Sequence, residues 1–121
     1  MADMSDPKEG VSQGITYFKK FQIPIEDILE EIADSHIDDV RRFLREEQSE
    51  DSLFYRIGEE LINRIMPKIQ EFERRQRTMI DRREIGIYTT PLVVGIIAYC
   101  VNRTERTYNN FYDFIAKFTS I

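Results

Sequence analysis

The densest run of reactive side chains in this sequence is the basic segment KIQEFERRQRTMIDRR, residues 68–83. A helix that presents arginine and lysine on one face can contact the phosphates of a nucleic acid. At about 100° per residue, Lys68, Arg75 and Arg82 share one edge of such a helix. A nucleic-acid surface would also need further basic residues beside that edge, and the candidates are Arg64, Arg103 and Arg106. Acidic residues one turn from the arginines favour a solvated, salt-bridged face instead.

Residues that could support catalysis or metal binding are few. His36 is the single histidine, so one chain cannot build a pair of histidine ligands or a serine-histidine-aspartate triad. Paired carboxylates such as Glu30 and Glu31 are frequent, but neighbouring helical residues diverge by about 100°. The sequence therefore predicts no catalytic residue, no metal ligand and no cofactor, and it places His36 at the surface beside a helix cap.

Composition describes one helical domain. The chain has 121 residues, of which 32% are charged and 41% hydrophobic, with 5 glycines, 4 prolines and no tryptophan. The single cysteine, Cys100, lies inside an apolar run, so it should be a buried core thiol, and a cysteine usage this low favours an intracellular, cytoplasmic location. Residues 1–10 are small, polar and acidic, which predicts a disordered tail before a domain of residues 11–121.

Charge is unevenly distributed along the chain. Residues 1–60 hold 7 basic and 16 acidic side chains, a net charge of −9, whereas residues 61–121 hold 10 basic and 6 acidic, a net charge of +4. A chain with two halves of opposite charge can attract a second copy of itself or two different partners.

Helical spacing of apolar residues continues along nearly the whole chain, and the pattern predicts an all-α, single-domain bundle of six or seven helices. Pro67 predicts a kink or break within a long helical segment that begins near residue 53. Gly86 predicts the end of that segment, and Thr90 followed by Pro91 predicts an N-cap and first turn for the next helix. The predicted helices are 12–22, one that starts at Pro24, 36–48, the interrupted segment from Leu53 that DRREIG ends, 91–101 and 104–118.

The segment Pro91–Val101 is almost entirely apolar. As a helix it would be about 16 Å long at 1.5 Å per residue, which is too short to cross about 30 Å of hydrocarbon. We therefore predict no membrane span and a central hydrophobic helix over residues 91–101, surrounded by amphipathic helices or by the same helix of a second subunit. Gly95 in its middle indicates close approach of a neighbouring helix.

Aromatic residues are concentrated near both termini. In the last predicted helix they form a stripe on one face, and a shorter group lies in the first helix. Aromatic side chains are enriched in protein interfaces, so these residues are candidates for one. The candidates are Tyr108, Phe111, Tyr112, Ile115, Phe118, Tyr17, Phe18 and Phe21.

A central apolar helix followed by an amphipathic aromatic one is similar in outline to the apoptosis-regulator Bcl family. The resemblance covers this one pair of helices, and it implies a groove that binds partner helices. The Asn-Trp-Gly-Arg motif of that family has no counterpart here, since the chain has no tryptophan.

Together these features predict a small non-enzymatic regulatory or adaptor protein that acts by protein–protein interaction, as a homodimer or by binding a partner helix. A host-modulating role in a virus or phage fits a protein of this size. Nucleic-acid binding through the arginine-rich helix 68–83 is the alternative. The interaction hypothesis requires an exposed apolar groove or patch, whereas the alternative requires one positive surface without interleaved acids.

Overall fold

The computed structural model describes residues 7–104, which form five α-helices and no strand. The prediction of an all-α bundle is confirmed. The helices, in chain order, are α1 (Pro7–Lys19), α2 (Ile25–Ser35), α3 (Ile37–Leu44), α4 (Glu50–Gln76) and α5 (Arg82–Thr104). The helix predicted over residues 104–118 lies outside the described residues.

The first three helices differ from the predictions mainly at their ends. Helix α1 begins at Pro7, inside the segment predicted to be a disordered tail. Helix α3 ends at Leu44 because Glu46 adopts a left-handed backbone with φ of 62°. Ser35 does not cap α3, since its hydroxyl donates to the carbonyl of Ile32 at 2.9 Å and His36 occupies the position between α2 and α3.

Helix α4 passes through Pro67 without interruption, so the break predicted there is absent. Pro67 cannot donate to the carbonyl of Asn63, but both residues are exposed, and water can replace the missing donor. Ser49 caps the start of the helix by accepting a hydrogen bond from the backbone N–H of Ser52 at 3.1 Å. Arg77, in the left-handed conformation, ends it.

Helix α5 begins at Arg82, nine residues before the start predicted at Pro91, so the predicted helix boundary at Gly86 and Thr90 is wrong. Gly86 is an ordinary helical residue. The hydroxyl of Thr90 donates to the carbonyl of Gly86 at 3.1 Å, one turn back, instead of capping a new helix. Pro91 is tolerated inside the helix because one missing N–H is a local loss, whereas the apolar face of α5 packs along its whole length.

Helix α5 packs against each of the other four helices. Its contact with α1 is close because both helices present glycine there. A Cβ atom on Gly14 of α1 would lie 2.8 Å from the carbonyl oxygen of Tyr88, and one on Gly95 would lie 2.8 Å from a methyl group of Val11. The close approach predicted at Gly95 is therefore confirmed.

Helix α5 is longer than the apolar segment Pro91–Val101, which alone is too short to cross a membrane. Residues Arg82–Asn102 form a helix that is long and apolar enough to cross a membrane, by length and composition alone, so the length argument based on Pro91–Val101 no longer applies. A single helix of this kind is weak evidence, because the core helix of a bundle meets the same criteria, and α5 contributes Leu92, Ile96 and Tyr99 to the buried core.

Candidate interaction surface

The basic residues predicted for nucleic-acid contact differ in their surroundings within the described part of the chain. Arg64 donates to the carboxylate of Glu31 at 2.6 Å, and Arg75 donates to the side chain of Gln22 at 3.3 Å. Lys68 is exposed, while Arg82 is held by Glu73. The side chain of Arg103 and the whole of Arg106 lie outside the described residues. Acidic partners thus accompany two of the predicted positions, Arg64 and Arg82.

The aromatic residues predicted near the N-terminus pack inside the bundle. Tyr17 stacks on Tyr88 with ring centroids 4.1 Å apart, and it meets Phe18 and Phe21 edge to face, each at 5.0 Å. Burial and the nearby carboxylate of Glu84 raise the pKa of the Tyr17 phenol to about 12. Tyr17 and Phe18 are buried, so the structure assigns them to the core and not to an exposed interface. Tyr108, Phe111, Tyr112, Ile115 and Phe118 lie outside the described residues.

His36 is buried, in contrast to the surface position predicted for it, and only 8% of the residue is exposed. Its Nδ1 lies 2.8 Å from the carboxylate of Asp39 and its Nε2 lies 3.0 Å from that of Glu60. The ring therefore joins the α2–α3 junction to α4. Burial raises the pKa of Asp39, but hydrogen bonds from Arg56, His36 and Arg42 outweigh it and leave the pKa below its usual value. The cluster ties three helices together.

Cys100 is fully buried, as predicted, and its thiol contacts the carbonyl oxygen of Ala33 at 3.3 Å. Burial, with the charges of Asp34 and Asp39, raises the pKa of this thiol to about 12. The thiolate is the reactive form of cysteine, so the native thiol is chemically inert near neutral pH.

We predict that the Cys100 thiol reacts with a disulfide reagent such as DTNB at least about 100-fold more slowly in the native protein at pH 8 than in urea, because reaction requires unfolding. The rate of absorbance change is measured once without urea and once in denaturing urea, and the two rates give the ratio. Equal rates would show that solvent reaches the thiol in the native bundle.

An apolar groove of about 390 Å³ lies between α4 and α5. Its apolar lining residues are Phe54, Tyr55 and Ile62 of α4 and Val93 of α5. The other lining residues are Gly58 and Glu59 of α4 and Gly86, Thr89 and Thr90 of α5. Tyr55 is 70% exposed, and its hydrogen bond to Glu59 on the rim raises the pKa of its phenol.

Small residues keep this groove open. A Cβ atom on Gly86 would meet no atom within 4 Å, and one on Gly58 would make an ordinary contact with Val93 at 3.7 Å. The hydroxyls of Thr89 and Thr90 already donate to carbonyls of α5, at 2.5 and 3.1 Å, so neither requires a partner from a bound molecule. The groove therefore suits an apolar occupant.

An exposed apolar edge of α5 borders the groove. Ile87 is 56% exposed and Val94 38% exposed, and Thr90 between them is also exposed. Residues at this spacing of three and four lie on one face of a helix. Ile97 and Val101 continue the same face and are partly buried. An apolar ridge and an apolar groove thus lie side by side on one surface of the molecule.

Comparisons with known protein families, with curated proteins and with solved structures find no match for this chain. What the structure defines is a class of architecture, an all-α bundle with an apolar groove between two of its helices.

Sequence reasoning did not identify Tyr55, Gly58, Gly86, Ile87 or Val94 as surface residues of interest. The groove arises only where α4 and α5 run past each other unbroken, whereas the signals at Gly86 and Thr90 predict the end of one helix and the start of another there. A helix drawn through residues 82–104 would have placed Ile87, Thr90 and Val94 on one face.

Proposed function

We propose that this chain is a non-enzymatic protein-interaction module whose working form is a homodimer, with the exposed ridge of α5 in one copy packed into the α4–α5 groove of the other. The observation that carries the proposal is the position of Ile87, an exposed apolar side chain directly beside an apolar groove kept open by Gly58 and Gly86. Exposed apolar patches of this kind mark interaction sites.

The occupant is a second copy because ridge and groove are complementary and share one surface. In a dimer with a two-fold axis, a residue that contacts the partner at one position is itself contacted from the equivalent position. With the axis near Thr90 and the two α5 helices antiparallel, Ile87 of each copy would meet the other copy at the level of Val93 and Phe54. One arrangement then covers both ridges and fills both grooves.

The charges at the two ends of α4 support the antiparallel orientation. Helices α4 and α5 are consecutive and antiparallel, with Val93 beside Gly58 and the basic residues at the short link between them. Arg83 lies at that link, has 92% of its side chain exposed and is 3.9 Å from Asp81. The opposite end of the pair carries exposed Glu50 and Asp51. Antiparallel pairing would bring Arg83 of each copy near this acidic turn of the other.

The dimer would be the platform for a regulatory or adaptor role, in which other faces contact other proteins. The aromatic stripe predicted over residues 108–118 is the candidate for that second contact. The central position predicted for residues 91–101 belongs to the same proposal, because a second copy would cover the part of α5 that its own bundle leaves exposed.

We expect a solution mass of twice 14.4 kDa by sedimentation equilibrium at micromolar concentration. Ile87→Asp should raise the dimer dissociation constant at least about 100-fold, because it places a charge in an apolar contact and 1.4 kcal/mol corresponds to a factor of ten. The matched control is Arg45→Asp, at an exposed position outside the ridge and the groove, which should leave the constant within about threefold.

Charge reversal tests the orientation. Arg83→Glu should weaken the dimer, and Asp51→Arg in the same chain should restore it, because the two-fold axis brings the exchanged charges together again. A wild-type chain that stays monomeric up to about 200 μM would contradict the proposal. So would a monomer that floats with lipid vesicles, because the ridge would then face a membrane surface.

A further inference from the structure

A second concave surface lies at the link between α4 and α5, at the edge of the molecule away from the acidic start of α4. It is a depression of about 750 Å³, within the range of small-molecule sites. The side chains that line it include three arginines, two neutral hydrogen-bonding groups and one exposed methionine. These are Arg74, Arg77, Arg82, Gln70, Thr78 and Met79.

The one acidic residue of the depression is already neutralised. The carboxylate of Glu73 accepts two hydrogen bonds from the guanidinium of Arg82, at 2.8 and 3.0 Å, and one from the backbone N–H of Ile80 at 2.8 Å. The hydrogen bonds from Arg82 and Ile80 hold the pKa of Glu73 below its usual value, so the carboxylate stays ionised and paired.

The two remaining arginines have no such partner. Sequence spacing predicts an ion pair between Glu73 and Arg77, one helical turn apart. Because α4 ends at Gln76 and Arg77 has a left-handed backbone, Glu73 pairs with Arg82 instead. Within residues 7–104 neither Arg74 nor Arg77 forms an ion pair. The lining thus has a net charge of +2 in a protein whose total is −5.

Arg77 has a left-handed backbone conformation. Its φ of 52° and ψ of 49° lie in the left-handed region, where glycine is the usual residue at the end of a helix. Arginine carries a Cβ atom, so this backbone conformation is less favourable for it than for glycine. Gln22 and Glu46, which also follow helix ends, have the same left-handed backbone, so this conformation marks the end of α4 and makes glycine a suitable substitution for testing Arg77.

We propose that this depression binds an organic phosphate ester, with Arg74 and Arg77 contacting the phosphate. A phosphate dianion matches the net charge of +2, and its three oxygens match the arginine forks, which bind phosphate with two parallel hydrogen bonds each. The hydroxyl of Thr78 and the amide of Gln70 supply further donors. Met79, 80% exposed, offers an apolar wall for the organic part of the ester.

The test is to titrate the full chain with phenyl phosphate, inorganic phosphate and benzoate. Calorimetry measures each affinity, and amide chemical shifts locate the binding site. Phenyl phosphate should bind most tightly, inorganic phosphate more weakly because it cannot contact Met79, and benzoate at least about tenfold more weakly than phenyl phosphate. The shifted amide signals should belong to residues around the α4–α5 link.

Two substitutions separate binding from folding. Arg74→Gln should weaken phenyl phosphate binding at least about tenfold, as the loss of one charge-assisted contact implies. Arg77→Gly should weaken it equally while the protein unfolds at the same or a higher temperature, because glycine suits the left-handed backbone. Arg75→Gln, exposed and adjacent in sequence but not in the lining, should leave binding within about twofold.

Several outcomes would overturn the proposal. One is the absence of saturable binding of phenyl phosphate at millimolar concentration, and another is equal loss of binding in Arg75→Gln, which would indicate general charge attraction. Tighter binding of a single-stranded oligonucleotide that is also lost in Arg64→Gln would assign the surface to nucleic acid. The result does not depend on the dimer, since Ile87→Asp should bind phenyl phosphate as the wild type does.

Discussion

Gly86→Phe is expected to separate the dimer into monomers, raising its dissociation constant at least about 100-fold, without loss of folding stability. A Cβ atom at Gly86 meets no atom within 4 Å, so a phenylalanine ring can extend into the groove between α4 and α5 without displacing the backbone. With the two-fold axis near Thr90, position 86 lies opposite Val94 of the second copy, so the ring would occupy the space that this part of its ridge needs. Sedimentation equilibrium measures the constant, and thermal unfolding followed by circular dichroism measures the stability.

Folding should be unaffected or slightly favoured, because glycine inside a helix is less favourable than phenylalanine by a few tenths of a kcal/mol. The matched control is Gly86→Ala, which gains about 1 kcal/mol of helix propensity but leaves most of the groove empty. Its dimer constant should change by less than about tenfold. A Gly86→Phe protein that is folded and still dimeric would show that the α4–α5 groove is not the contact between copies.

Much of the fold follows from periodicity alone. Leu53, Ile57, Leu61, Ile65 and Ile69 stand one helical turn apart along α4, and all five are fully buried. Helix α2 is equally clear, since its apolar residues form one face and its acids the other. A helix that buries one stripe leaves this signature in its own sequence, whatever its neighbours are.

Helix ends were harder to predict. Capping residues act locally, whereas the burial of apolar side chains beyond them can extend a helix past its capping signal. Thr90 and Pro91 have the chemistry of a helix start, but α5 continues through them because Ile85 and Tyr88 before them pack on the bundle. A local cap stabilises a helix end by about 1 kcal/mol, whereas each large apolar side chain buried contributes roughly 1.5 to 3 kcal/mol. Burial therefore decided where the helix begins.

The candidate surfaces were harder still, because they depend on residues far apart in the chain. The partners of His36 are Asp39 and Glu60, three and 24 residues away, and nothing in the sequence pairs the ring with Glu60. Glu73 could pair with Arg77 or Arg82, and only the end of α4 at Gln76 decides between them. Sequence reasoning located the arginines but could not say which of them carry an unpaired charge.

Gly14→Ala is expected to lower the free energy of unfolding by about 1 to 3 kcal/mol, the usual cost of an added methyl group in a well-packed contact. Alanine is the better helix former, so propensity alone would predict a gain of about 1 kcal/mol. Packing should win, because the new methyl group would lie 2.8 Å from the carbonyl oxygen of Tyr88 and 3.0 Å from Leu92. A backbone oxygen cannot rotate away as a side chain can.

The measurement is urea unfolding followed by circular dichroism, in the Ile87→Asp background so that association between copies does not contribute. Gly58→Ala is the matched control, since a Cβ atom there makes only an ordinary contact at 3.7 Å and the helix should gain about 0.5 to 1 kcal/mol. The two variants add the same methyl group to helical glycines. Opposite changes in the free energy of unfolding would therefore come from the close contact between α1 and α5 at Gly14. If Gly14→Ala were as stable as Gly58→Ala, α1 would not pack on α5 as closely as Gly14 and Gly95 indicate.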